Sequence, residues 1–244
     1  MTRSTTMKPG ALLLALALTS GAGVLTAGEP SEAPAGPAPV LEAAPEGTVV
    51  FDDDGGKAQV IPRDAASGAE PTFHGGPVVA RPNVKALFLG SAWRDTENKP
   101  ARQRAADSIA RLERTPEFSA LSRYGLEAKE LPLSSHDDFL DPVDGKKISD
   151  LEIQARLDRL FQSSMGELEA QSVFVVFLAP GIKSTLGTAS SDKEYAAYHN
   201  HLHSAAGLIR YVVVPFDADA GRWLKSTRQS LIQAMINPEG NAWY

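Results

Sequence analysis

Three apolar, β-branched runs constrain this chain most: "VKALFLG" (84–90), "SVFVVFLAPG" (172–181) and "LIRYVVVPF" (208–216). Near-continuous apolar runs, unlike alternating ones, mark strands covered on both faces. Between them the period changes to that of helices. Asn98-Lys99-Pro100 opens one helix with Ala105, Ile109 and Leu112 on its apolar side, and a second starts at Pro116 and stops before Gly125. "GLEAKELPL" reads as an edge or neighbouring strand. Ser149 and Glu152 form a capping-box pair, Ile148 and Ile153 stand at staple positions, and Ile153, Leu157, Leu160, Phe161 and Met165 make a buried stripe. A last helix is expected from Gly221 to Ile236, with Leu224, Leu231, Ile232 and Met235 on one side and Pro238 ending it. Strands alternating with helices predict an α/β fold: a layered domain with a central mixed or parallel sheet flanked by helices. No internal repeat is visible.

The start of the chain reads differently. Arg3 and Lys8 precede an apolar run from Ala11 to Leu18 and small residues down to Ala27, the pattern of a secretory signal peptide over residues 1–27. The run is too short to span a bilayer. Residues 28–48 are rich in Pro, Ala, Gly and Glu, the composition of an extended linker. Residues 49–71 form a short pre-domain segment with the makings of a strand or hairpin, and 72–244 is the size of one domain. The expected destination is outside the cytoplasm, periplasmic or extracellular, with no membrane span after signal removal. There is no cysteine, so no disulfide framework supports the fold there. Loss of Arg3 and Lys8 moves the formal net charge from -6 to about -8, which argues against nucleic acid and anionic membranes as partners.

Several tempting motifs fail on their chemistry. Asp52 to Gly56 reads as a turn, since Arg63 stands where a calcium loop needs its twelfth, acidic ligand. The loop with His136, Asp137, Asp138, Asp141 and Asp144 fits no calcium spacing and reads as a solvated turn. "FHGGP" (73–77) resembles the oxyanion turn of esterases, but no Gly-x-Ser-x-Gly elbow accompanies it. "LFLGSAW" lacks the later glycines and the lysine of a phosphate loop. Trp93, Trp223, Trp243 and Tyr244 offer flat apolar faces for a glycan, or alternatively complete a core.

"YHNHLH" places His199, His201 and His203 at every second position. On a strand the three rings share one face at about 7 Å per step. Two readings stand. In one, the trio is the core of a metal site, zinc above all, completed by His74 or His136. In the other, His199 orders the turn into the strand while His201 and His203 sit near the surface.

Three landmarks, "TFHGGPVVARPNVKALFLGSAW", "YHNHLHSAAGLIRYVVVPF" and "LIQAMINPEGNAWY", together resemble the Exordium-like, or phosphate-induced, proteins, a secreted family of plant cell walls and bacteria. Phe73-His74-Gly75-Gly76-Pro77 fills the opening turn, Trp93 the aromatic after the first strand, and Asn237-Pro238 with Trp243-Tyr244 the closing element. Some bacterial relatives carry a His-Glu-x-x-Glu helix before that element, which resembles a zincin helix. There, residues four apart hold one zinc while the adjacent glutamate polarises its water. The resemblance sets Gln229, Ser230 and Gln233 at those positions. Glutamine is a feeble zinc ligand and serine is no base, so ordinary zincin chemistry is not expected. The resemblance implies a secreted, non-catalytic binding or cell-surface protein without a cofactor. Its ligand would be a cell-surface component, a small molecule or a glycan, with His74, Trp93, Trp243 and Tyr244 as the ligand surface. The alternative is a zinc-dependent hydrolase built on His199, His201 and His203.

Overall fold

The computed structural model describes residues 49–51, 57–62, 71–136, 143, 145–163 and 168–243. The expected signal peptide and linker, Asp52 to Gly56, Met165, Tyr244, and Asp137, Asp138, Asp141 and Asp144 of the acidic loop lie outside them.

The main sheet has seven strands. Four of them run parallel and lie side by side: β4 (Leu133–His136), β3 (Asn83–Leu89), β6 (Ser172–Leu178) and β10 (Gly207–Val214). Beyond β10 come β9 (Tyr195–Ser204), β2 (Lys57–Pro62) and β1 (Val49–Phe51), each antiparallel to its neighbour. A second, three-stranded sheet joins β5 (Lys147–Ser149), β7 (Lys183–Leu186) and β8 (Ala189–Ser190). The fold is therefore the expected α/β layering around a mixed sheet. From the segment ahead of residue 72, β2 is a member of the main sheet and buries Ala58, Val60 and Ile61.

Each face of the sheet carries its own core. On one side Val84, Ala86, Phe88, Val173, Val175, Phe177, Val212 and Val214 pack under α1 (Lys99–Leu112) and α4 (Ala220–Ile236). On the other, Leu87, Leu89, Phe174, Val176, Leu178, Tyr211 and Val213 pack under α3 (Asp150–Ser163). All seven side chains of β6 are buried, which is why its sequence does not alternate. Each large side chain so covered contributes about 1.5–3 kcal/mol of transfer free energy.

The helix ends follow local chemistry. Ser149 Oγ accepts from the Glu152 amide at 3.3 Å, while the Glu152 carboxylate accepts from the Ser149 amide at 2.8 Å, the reciprocal capping box. Ile148 and Ile153, its staple pair, are both fully buried. The short α2 (Pro116–Ala120) is capped by Thr115 and continues as a 3-10 turn to Tyr124, where Gly125 at φ 93° supplies the left-handed terminus. In α4 the Asp219 carboxylate accepts from the Arg222 amide, and the helix stops at Asn237, one residue before proline.

Candidate functional site

β9 is long enough to hold the whole histidine trio, and its pleat turns all three toward the face covered by α4. Their environments then diverge. His199 sits mid-strand between Val212 on β10 and Gln59 on β2, and is 1% exposed. It does not order a turn. His201 is half-buried and His203 exposed, with ring centroids 5.8 Å apart. Among the described residues no group of three or more His, Cys, Asp or Glu is placed to hold one metal ion. His136 ends β4, at the opposite edge of the parallel strands, and His74 lies exposed in the opening turn.

His199 Nε2 lies 3.0 Å from the backbone oxygen of Asn237. A carbonyl only accepts, so Nε2 carries the proton and Nδ1 is the bare, basic nitrogen. Nδ1 has no hydrogen-bond partner among the described residues. Burial pushes the imidazole pKa down to about 4, against the opposing pull of the Asn237 carbonyl and with a small added push from His201. The ring is neutral at neutral pH.

Asn237 is itself a junction. Its amide nitrogen donates to Gln59 Oε1 at 3.1 Å, its side-chain oxygen accepts from the Ala242 amide at 2.7 Å, and its carbonyl also accepts from the Gly240 amide. The His74 amide donates to the Ala242 carbonyl, and Phe73 forms a bridge with Trp243. One asparagine thus ties β2, β9, the C-terminal segment and, through that segment, the opening turn. Gly76 is required in that turn, because a Cβ there would lie 2.2–2.4 Å from Asn241 atoms.

The three zincin-type positions all fall on α4. On α4, Ser230 is fully buried and Gln229 and Gln233 are half-buried, with Ser230 Oγ and Gln233 Oε1 lacking partners among the described residues. The donors are two amides, a hydroxyl and one neutral imidazole already committed to a carbonyl. No carboxylate is among them to neutralise a dication or take a proton from its water, so the set does not fit a catalytic zinc.

The aromatic candidates also separate. Trp93 is fully buried, donates Nε1–H to the Phe177 carbonyl at 3.0 Å and stacks with Trp223, so its placement on a ligand surface is corrected: it is core. Three further rings of that cluster, Phe88, Phe177 and Phe216, enclose the pair. Trp243 is half-buried between Phe73 and Tyr124, 4.9 Å from each. Phe73, at 51% exposure, is the large hydrophobic side chain left open to solvent among the described residues.

Sequence reasoning missed a second buried polar centre. Asp150, in the first turn of α3, is 2% exposed and accepts from Tyr198 Oη at 2.6 Å, Tyr211 Oη at 2.8–2.9 Å, Asn200 Nδ2 at 3.0 Å and Gln154 Nε2 at 2.8 Å. Burial raises its pKa despite these four donors, because none carries a positive charge. The signal was present in part: Asp150 follows a capping serine, and Tyr198, Asn200 and Tyr211 all fall on strand positions.

Comparison with protein-family models, with curated proteins and with solved structures found no match.

Proposed function

We propose that this is an exported, non-catalytic binding protein of the Exordium-like type, which engages a glycan or another cell-surface component through the aromatic seam where its opening turn meets its C-terminal segment. The observation that carries the reading is the exposed Phe73 ring resting on Trp243 at 4.9 Å, with Trp243 edge-on to Tyr124. A phenyl face held open on a backed aromatic stack suits the C–H face of a sugar ring. The backbone beneath it is tied by the Phe73–Trp243 bridge and the His74–Ala242 bond, so little ordering entropy remains to oppose binding. His74 and Asn241 lie exposed beside it as polar groups for hydroxyls.

The test is retention of the untagged protein on washed cell envelopes and on insoluble polysaccharides, with Phe73→Ala as the variant. Retention reduced at least tenfold by Phe73→Ala, with unfolding unchanged, supports the reading. Equal retention of both proteins, or none, overturns it. The alternative, a zinc hydrolase, requires one tightly held zinc per chain that is lost on His199→Ala.

A further inference from the structure

The fold divides the histidine trio into a lock and a pair, and the pair has the features of a separate site. His199 is enclosed, and its Nε2 is spent on Asn237. The described pairing of β2 with β9 ends at Gln59–His199, and α4 ends at Ile236, whose next residue already touches His199. Beyond that point β9 continues to Ser204 with β10 on its flank, carrying the half-buried His201 and the exposed His203 on one face.

We propose that His201 and His203 form a bidentate surface site for a divalent transition-metal ion, copper(II) in preference to nickel(II) and zinc(II). Metal–imidazole bonds are about 2.0–2.1 Å, so two ring centroids sharing one ion lie at most about 6.4 Å apart. The observed separation is 5.8 Å. Two imidazoles from positions two apart on a strand approach an ion from one side, leaving its other positions to water. Imidazole selects copper, nickel and zinc over magnesium and calcium, and copper binds tightest in that series. The site is distinct from the aromatic seam and does not depend on it.

The neighbouring charge is accommodated. Arg210 stands directly across from His201, but its Nη1 donates to the Ala170 carbonyl at 2.8 Å and its Nη2 meets Glu239 at 3.3 Å. The guanidinium is thus drawn toward a carboxylate. Leu208, opposite His203, adds no charge. A net charge of -6 over the chain favours a cation.

The experiment titrates copper(II) chloride into the untagged full chain, read by calorimetry and by nitrogen hyperfine splitting in the electron paramagnetic resonance spectrum. One ion per chain with two nitrogen donors is expected. His203→Ala, at an exposed position that leaves folding intact, should weaken binding at least tenfold, as should His201→Gln, while His74→Ala changes nothing. Magnesium and calcium should give no saturable heat. Absence of saturable copper binding overturns the proposal, as does copper affinity unchanged by His203→Ala. Affinity lost on His74→Ala overturns it too, since the ion would then sit elsewhere.

Discussion

His199 on β9 donates its Nε2–H to the backbone carbonyl of Asn237, 3.0 Å away at the end of α4. The bond joins the strand to the helix terminus from within the core, and it fixes the protonation of a histidine that burial would keep neutral in any case. Its consequence is acid sensitivity. The folded imidazole has a pKa of about 4, against an ordinary value near 6.5 in the unfolded chain. Below about pH 6.5 the unfolded state binds a proton that the folded state refuses, so stability falls as the pH drops from 6.5 toward 4. By linkage the loss totals about 3 kcal/mol. Denaturant unfolding of wild type and His199→Gln at pH 7 and pH 4.5 checks this. The variant should be less stable at pH 7 yet lose less between the two pH values.

Asp150 carries the opposite dependence. Its pKa is raised in the fold, so the folded state holds the proton more tightly, and this group's contribution declines as the pH rises through the ordinary carboxylate range toward the raised value. In Asp150→Asn that decline should vanish from the pH–stability profile. Asp150→Ala should cost at least about 3 kcal/mol, because the two tyrosine hydroxyls and the Asn200 and Gln154 amides lose their common acceptor. Equilibrium unfolding in urea measures both. An alanine variant as stable as wild type would mean that the four donors find other partners.

Asn237→Ala removes the bonds to Gln59 and to the Ala242 amide, at a residue only 1% exposed. A loss of about 2–4 kcal/mol is expected from two orphaned buried groups. Amide hydrogen exchange should accelerate in residues 239–243 and 73–79 together, because the C-terminal segment holds the opening turn. Exchange confined to one of these segments would contradict the coupling.

Gly76→Ala should loosen the same seam by a different route. The new Cβ would meet backbone as well as side-chain atoms of Asn241 at 2.2–2.4 Å, so the segments must separate. Gly75→Ala is the contrasting change: its φ of +89° strains alanine, but nothing lies within 4 Å of the new carbon. Gly76→Ala should quench the Trp243 environment and increase tryptophan accessibility to acrylamide, whereas Gly75→Ala should lower stability by about 1–2 kcal/mol with Trp243 undisturbed.

Much of the fold was legible in the residues. The unbroken apolar character of Ser172 to Leu178 reflects burial on both faces, and the Ser149–Glu152 pair encodes its own capping geometry within four residues. The strand periodicity of "YHNHLH" correctly placed three histidines on one side of β9. Trp93 was misplaced because an aromatic after a strand reads the same whether it meets Trp223 or water; the difference lies in a helix 130 residues away. The Asp150 centre was missed for the same reason, since three of its four donors come from β9 and β10, about fifty and sixty residues downstream.

The sequence by itself determined the alternation of strands and helices, the helix ends and the shared face of the three histidines, because each rests on contacts or periodicities spanning only a few residues. The tertiary structure decided that His199 became a buried lock while His201 and His203 stayed near solvent, and that Phe73 remained open on a backed stack. Those outcomes depend on where the pairing of β2 with β9 stops and where α4 ends, and on how the last residues return to the first turn. Burial is set by everything that packs around a residue, and no stretch of neighbouring sequence contains that information.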